Sequence, residues 1–299
     1  MATSSLGPAG LSSLDTALLT NVLNEAIFTA QEKSIAGSLF KVYDYTGQPG
    51  LTVQVPVYPT ISASAPTQAQ DLDGESMDVT SVTITASEIG ARLDVSDLLA
   101  ESTARTMASD VGVMLGSAIA EKIDTDAFSL FTETNITTNS VGDTSGTITP
   151  DTILAAVYKL RGVNAPTDAD GDYFAVLHPG QAYYLTKVLA NAGYATSSGA
   201  NALSTIGDNL ISSSAYVGRL FNVKVFMSTV IADESTANSA AGAVFSPNAF
   251  GHILKRNIRI ETQRDASART TEFVATTARG NGVLKQSYAC LVKGKRNIV

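Results

Sequence analysis

Leu51-Thr52-Val53-Gln54-Val55-Pro56-Val57 places an apolar residue at every second position, and Met77, Val79, Val82, Ile84, Ile89, Leu93 and Val95 resume a similar spacing after a gap. A period of two is what a strand with one buried face requires. The first run predicts one strand. The second outlines another and a possible third, with the spacing slipping near Ser81. Between them, Pro59 to Ser76 holds Pro, Ser, Ala, Gln and Asp with few large apolar residues, and no Lys or Arg occurs between Lys41 and Arg92. This is the pattern of a long two-stranded excursion with a weakly hydrophobic tip. An isolated two-stranded ribbon is marginal in water, and its unpaired edges invite another chain. Support from a neighbouring subunit is therefore expected; the competing reading is a disordered insertion.

Beyond the ribbon, Leu99, Ala104, Met107, Ala108, Val111, Leu115, Ala118, Ile119, Ile123, Ala127 and Leu130 keep an i, i+3, i+4, i+7 stripe, which predicts a long helix. Ser96 is placed to cap it, with Asp97 and Glu101 in the first turns, where the helix dipole favours acids. Over Ser96–Phe131 such a helix would span about 50 Å. Gly112 and Gly116 would bend it or let something pack closely. Ahead of the ribbon, Leu18, Leu19, Val22, Leu23, Ala26, Ile27 and Ala30 predict a first helix standing apart like an arm, with Gly37 as its stop.

Downstream, Thr132 to Gly146 is a polar linker, and Thr149-Pro150-Asp151 opens a helix with Pro at its first position. Ile153, Leu154, Val157 and Leu160 are expected on its buried face. Tyr173–Leu177 is a short buried strand, and His178-Pro179-Gly180 turns into a helix carrying Tyr184, Leu185, Val188 and Leu189. Asn191 to Asp208 is a polar loop. Phe221, Val223, Val225 and Met227 alternate as a strand, and Ala243 to Phe245 forms another. Further strands are expected around Ile253–Ile260, Thr270–Thr277 and Val283–Val292, with Asn281-Gly282 as a hairpin turn between the last two.

The 299 residues are 44% hydrophobic but only 16% charged, below the usual quarter. A surface poor in charge fits a protein largely covered by copies of itself. The net charge of -8 is uneven: residues 1–150 are acidic, and Lys255, Arg256, Arg259, Arg264, Arg269, Arg279, Lys285, Lys293, Lys295 and Arg296 make the last fifty basic. Such asymmetry can mark a nucleic-acid face. Complementary subunit surfaces, or basic residues spaced along solvated strands, are preferred here, because an acidic chain is repelled by phosphates. No signal peptide and no stretch near the ~18 apolar residues of a membrane helix is evident.

The order of elements resembles the major capsid proteins of tailed bacteriophages, which share the Hong Kong 97 fold. The resemblance implies an α+β chain with an N-terminal arm (1–45), an extended hairpin loop (46–91), a spine helix with the first part of a peripheral domain (92–148), an axial domain (149–245) and a return to the peripheral domain (246–299). Ile153-Leu154-Ala155-Ala156-Val157-Tyr158-Lys159-Leu160, Asn164-Ala165-Pro166 and Phe174-Ala175-Val176-Leu177-His178-Pro179 look like the start of the axial domain, with Tyr183, Tyr184 and Leu185 in the helix that follows. Gly218-Arg219-Leu220-Phe221-Asn222-Val223-Lys224-Val225 resembles its next strand. Phe245-Ser246-Pro247-Asn248-Ala249-Phe250-Gly251 and Ala278-Arg279-Gly280-Asn281-Gly282-Val283-Leu284 resemble the return and its penultimate turn.

The resemblance implies a shell subunit, not an enzyme. It would assemble with itself as pentamers and hexamers, and with neighbouring capsomers, into an icosahedral head in the host bacterial cytoplasm. The head encloses double-stranded DNA without sequence-specific binding. Scaffolding, portal and decoration proteins are separate partners that the family allows, and no membrane is involved. Some members weld subunits through a loop Lys and an Asn; this loop holds no Lys, so that bond is not expected. Only about forty residues precede the loop, so a fused scaffolding segment of about a domain's length is not expected either. Loop contacts with a neighbour are expected at Val53, Val55, Val57, Tyr58, Ile61, Leu72, Met77, Val79 and Ile84.

No catalytic, cofactor or metal site is expected. The two histidines, His178 and His252, lack the partners of a triad, and His178 precedes a Pro-Gly turn. Cys290 reads as a buried strand residue. Asp168-Ala169-Asp170-Gly171-Asp172 has its Gly too early for a calcium loop and lacks the terminal Glu. Asp124 and Asp126 are candidates to pair with a neighbour's basic residues. The alternatives are an encapsulin-type compartment shell, which would need a cargo-peptide groove, a secreted adhesin or surface-layer protein, and, third, a hydrolase.

Overall fold

The computed structural model describes residues 22–30, 33–58, 61, 63, 65, 74, 76–98, 107–191, 216–232 and 238–297. Among the described residues three helices are longer than ten residues: α3 (Met107–Phe128), α4 (Pro150–Gly162) and α5 (Pro179–Asn191). Two shorter pieces precede them, α1 (residues 22–30) and α2 (Ala36–Leu39). The strands are β1 (Lys41–Asp44), β2 (Thr52–Val57), β3 (Thr80–Thr85), β4 (Ser87–Ser96), β5 (Ser140–Gly142), β6 (Tyr173–Leu177), β7 (Tyr216–Leu220), β8 (Val223–Met227), β9 (Ser239–Phe245), β10 (Phe250–Asp265), β11 (Thr270–Val283) and β12 (Ala289–Lys295). They form a four-stranded sheet in the order β1-β10-β11-β4, a six-stranded sheet in the order β5-β12-β9-β6-β8-β7, and the ribbon β2-β3.

The four-stranded sheet is built on the long hairpin β10–β11. Asp265 Oδ1 accepts the backbone N–H groups of Ser267 and Ala268 at 2.8 and 3.1 Å, holding the turn, and Arg269 takes φ 54°. Ile258 and Ile260 of β10, Phe273 and Ala275 of β11, and Ile89 and Val95 of β4 turn one face inward. Against that face lies α3, through Val111, Leu115, Ile119 and Ile123. The opposite faces carry Arg259 and Glu261, so the alternation seen in the sequence sorts the sheet into a packed and a solvated side.

The first helix does not stand apart. α1 lies along α3, with Val22 and Ala26 fully buried. A Cβ on Gly112 would meet Val22 O at 2.8 Å, and one on Gly116 would meet Ala26 O at 2.5 Å. The two glycines thus permit close helix approach. Gly37 is no stop: it lies inside α2, after a break at residues 34–35. Leu18 and Leu19 fall outside the described residues. The buried carboxylate of Asp124 causes the break to hold. It accepts Ser34 Oγ at 2.9 Å, Ile35 N at 3.0 Å and Ala36 N at 3.0 Å. Asp124 therefore serves its own chain, and Asp126 pairs with Lys122 at 2.7 Å rather than awaiting a neighbour.

Other expectations shift at element ends. β4 runs through Ser96, and residues 97–98 are helical; the stretch 99–106 lies outside the described residues. The described α3 spans about 33 Å. In the six-stranded sheet, Phe221 sits in a turn, not a strand: Phe221 and Asn222 take φ 52° and 61° and connect β7 to β8, an arrangement typical of tight hairpins. Leu154 is 46% exposed, and the buried face of α4 is Ile153, Ala156, Val157 and Leu160. The loop expected over Asn191 to Asp208 lies, after Asn191, outside the described residues. Most visibly, Asn281-Gly282 is not a hairpin turn. β11 continues straight through it, opposite Gly251 and His252, and the last strand β12 crosses to the six-stranded sheet beside β9.

Six phenylalanines fasten the two sheets. Phe40 stacks on Phe250 with centroids 4.9 Å apart; Phe245 meets Phe250 edge-on at 5.1 Å; Phe128 and Phe131 close the cluster from the end of α3. Phe174 joins from β6 at 6.3 Å from Phe245.

Two outcomes follow from this packing. Gly116→Val should destabilise the subunit by about 1–3 kcal/mol in urea melts, because the added carbons meet α1 backbone that cannot yield. Asp124→Ala should cost on the order of 2–3 kcal/mol by stranding three donors. Burial raises the Asp124 pKa, with the Ile35, Ala36 and Ser34 bonds opposing the rise. The folded state then holds the proton more tightly than the unfolded chain, so this stabilising term is full below the unfolded pKa and is lost as pH rises through the folded one. Asp124→Asn should flatten that fall in melts taken from pH 3.5 upward.

Candidate inter-subunit surface

The ribbon is positioned by its base. β2 and β3 pair antiparallel with Val53 opposite Ile84 and Val55 opposite Val82, so one face is apolar. Ala86 donates its N–H to Leu51 O at 2.8 Å and closes the ladder. Here the second strand expected from the sequence divides: at Ala86 the chain leaves the ribbon and enters the four-stranded sheet as β4. That division is where the apolar spacing slips phase.

Val53, Val55 and Ile84 pack on Ile253 of β10, with Tyr43, Tyr45, Val82 and Leu284 around them. The contact is tight because β11 offers no side chain there. A Cβ on Gly282 would meet Ile84 Cγ1 at 2.6 Å, and one on Gly280 would meet Thr85 O at 2.6 Å. Asn281, between them, turns to the other face and places Oδ1 2.6 Å from His252 Nδ1. The Gly-Asn-Gly run thus makes a socket for the ribbon, which explains why it sits in a strand.

Three of the nine expected contact residues are therefore occupied within the chain, and Val57 is half-buried. Further out, Tyr58, Ile61, Met77 and Val79 are exposed, Ile61 by 67% and Met77 by 63%. Leu72 lies outside the described residues. No third strand joins the ribbon among the described residues. Pro56 removes a donor from β2, which is tolerated on such an edge. The result is an arm fixed at its root and presenting large apolar side chains at its far end.

Other groups considered from the sequence are engaged internally. The thiol of Cys290 is fully buried, and burial pushes its pKa up to about 11. His178 accepts Gly180 N at Nδ1, 3.1 Å, as part of its turn. In the acidic turn, Lys224 Nζ lies 2.6 Å from Asp170 and 3.4 Å from Asp168, while Arg219 reaches the buried Asp172 at 2.6 Å. A lysine thus sits where a calcium loop would hold its ion. Among the described residues no His, Cys, Asp or Glu group is arranged for a metal ion, and no helix is long and apolar enough to cross a membrane.

Three of the ten basic C-terminal residues meet acids of the first half, and Arg92 of β4 makes a further ladder. Arg264 grips Asp97 with two bonds at 3.0 and 2.8 Å, Arg92 bridges Asp94 and Glu272, and Arg256 pairs with Glu88. Lys293 pairs with Glu133. These are solvated ladders along strands; each exposed pair contributes about 0–1 kcal/mol.

A long helix laid on a twisted four-stranded sheet, an extended ribbon and a second mixed sheet together define the shell-subunit fold of tailed-phage heads. Solved structures with this arrangement include the capsid of Ralstonia phage GP4, at TM-score 0.67 and 11% identity over 89% of this chain and 92% of that one. Mycobacterium phage Che8 matches at TM-score 0.65 and 16% identity over 87% and 90%. The holo-SrpI encapsulin complex of Synechococcus elongatus matches at TM-score 0.57 and 11% identity over 86% and 85%, so the fold is shared with encapsulins. No curated protein sequence matches the chain. The family model described as phage capsid protein matches residues 79–294, and the chain belongs to that family. It is a major capsid protein, a structural component of the phage head.

The socket gives a test by coupling. Gly282→Ala should cost about 1–3 kcal/mol by overpacking against Ile84. Adding Ile84→Ala, which removes Cγ1, should recover part of that loss, so the double variant should be more stable in thermal melts than the two single effects summed.

Proposed function

We propose that copies of this chain assemble as pentamers and hexamers into an icosahedral head that encloses double-stranded DNA. The six-stranded sheet with α4 and α5 is assigned to the axial domain, around the capsomer axes. The four-stranded sheet with α3 is assigned to the peripheral domain, in the wall. The ribbon lies across an adjacent subunit, where Tyr58, Ile61, Met77 and Val79 leave water. Assembly takes place in the host cytoplasm, and the chain acts by geometry, without catalysis. DNA is enclosed and not read. Scaffolding, portal and decoration functions come from separate proteins.

The observation that carries this reading is the exposed apolar far end of a ribbon whose root is fixed. Large apolar residues held out on a two-stranded arm are costly for a solitary subunit and useful only when a neighbour covers them. Each contact is modest, but every subunit makes several, so avidity holds the shell.

Deletion of residues 62–76 should leave a folded subunit with an unchanged circular dichroism spectrum that forms no shells. Negative-stain microscopy and light scattering beside the wild type check this, and normal shells from the deletion variant would remove the ribbon from the assembly mechanism.

A further inference from the structure

The face of β11 that packs on α3 continues past the end of that helix. Phe273, Ala275 and Thr277 are followed on it by Arg279 and Asn281, which face a cleft of ≈ 470 Å3 between the C-terminal turns of α3 and the ribbon root. Ile89 and Ile123, buried in the chain's own core, lie at its floor; half-buried Leu130 borders it, with Thr85 and Ser87 at its rim.

Arg279 is poorly matched inside its own chain. Its Nε lies 3.4 Å from Thr277 Oγ1 and its Nη1 3.4 Å from His252 Nε2. Both partners are neutral: burial, then the nearby guanidinium, hold His252 below its ordinary range, despite the bond to Asn281. The two carboxylates of the cleft are taken, Asp126 by Lys122 and Glu88 by Arg256. Among the described residues no carboxylate lies within ion-pair distance of Arg279. A guanidinium stays charged in proteins and presents a planar fork of donors suited to a carboxylate. Nη2 makes no hydrogen bond or ion pair among the described residues, and Arg279 lines the cleft.

The ribbon carries a complementary stretch. Met77 and Val79 are exposed on either side of Asp78, which is also exposed and has no ion pair among the described residues. No Lys or Arg in residues 42–91 offsets it. The chain's own Asp78 stands away from its own cleft: Thr85 lies at the rim, and the seven steps of extended chain from Asp78 to Thr85 span ~20 Å. The carboxylate must come from another copy.

We propose that this cleft seats the Ser76–Val79 stretch of a second copy's ribbon, with Asp78 on Arg279 as a two-point ion pair and an apolar neighbour of Asp78 against half-buried Leu130. The inference rests on the ribbon-docking reading above and names where the ribbon docks. It links residues beyond the end of one subunit's β3 to the next subunit's ribbon root, so each docked ribbon buttresses the socket that aims the next.

The test is a charge exchange, with wild type, D78R, R279E and the D78R/R279E double variant expressed under the same conditions. Shells are counted by sedimentation and negative-stain microscopy. Each single variant should lose shells by at least about tenfold, as expected for stranding one partner of a desolvated pair, and the double variant should regain much of the yield. A double variant no better than the singles overturns the pairing. Asp78 is exposed, so D78R should keep the wild-type unfolding temperature; wild-type shell yield from D78R alone overturns the pairing even if R279E does not fold. Wild-type shells in the same series keep the capsid reading standing whichever way the variants fall, and their absence strikes that reading first.

Discussion

The cluster of phenylalanines at the meeting of the two sheets is the contact on which the arrangement of the rest depends. Phe40 arrives from the end of α2, Phe128 and Phe131 from the end of α3, Phe245 from β9 and Phe250 from β10. Aromatic rings packed edge-on and stacked bury large areas and fix the angle between the elements that carry them. Through this cluster the sheet that packs on α3 and the six-stranded sheet share one core, and β12 can cross from one to the other. A shell subunit needs that rigidity, because a small error in subunit shape is multiplied around every closed ring of copies.

The ribbon obeys the opposite logic. Its root is held by Ile84 in a socket of glycines, while its far residues expose Tyr58, Ile61, Met77 and Val79. Two strands cannot bury both faces, so the internal contacts aim the arm and leave its outer apolar residues uncovered within the chain. Asp124 shows the same division inside the body. A carboxylate that would be costly to bury alone is retained because three donors converge on it, and it fixes the break between α1 and α2 where the chain must turn toward β1.

Charge follows a pattern that helps explain the sparse surface. The acidic first half and basic last fifty residues are brought together as β4 beside β11, and Arg92, Arg256 and Arg264 find their acids across strands. Arg279 has no such acid among the described residues and is set on the side of its strand that packs on α3.

Periodicity alone determined much of this protein. The alternation of Val53, Val55 and Val57, the helical stripe from Val111 to Ala127, the continuous apolar run Tyr173–Leu177 and the Pro150 helix start each depend on near neighbours in the chain, and local geometry follows from them. The order of these elements was enough to bring the capsid family into view. What the sequence left undecided depended on partners distant in the chain. Asn281-Gly282 has the composition of a turn, yet it lies in a strand because Ile84, two hundred residues earlier, requires the space a side chain would fill. Gly116 and Gly112 were recognisable as a possible close contact, but only packing supplied α1 as the partner. Leu154 carries an apolar side chain on a helix whose inward face was already filled by its neighbours. Nor could the spacing reveal that Val53, Val55 and Ile84 close the ribbon root while Met77 and Val79 remain outside; which apolar residues stay exposed is decided by what the rest of the chain has already covered.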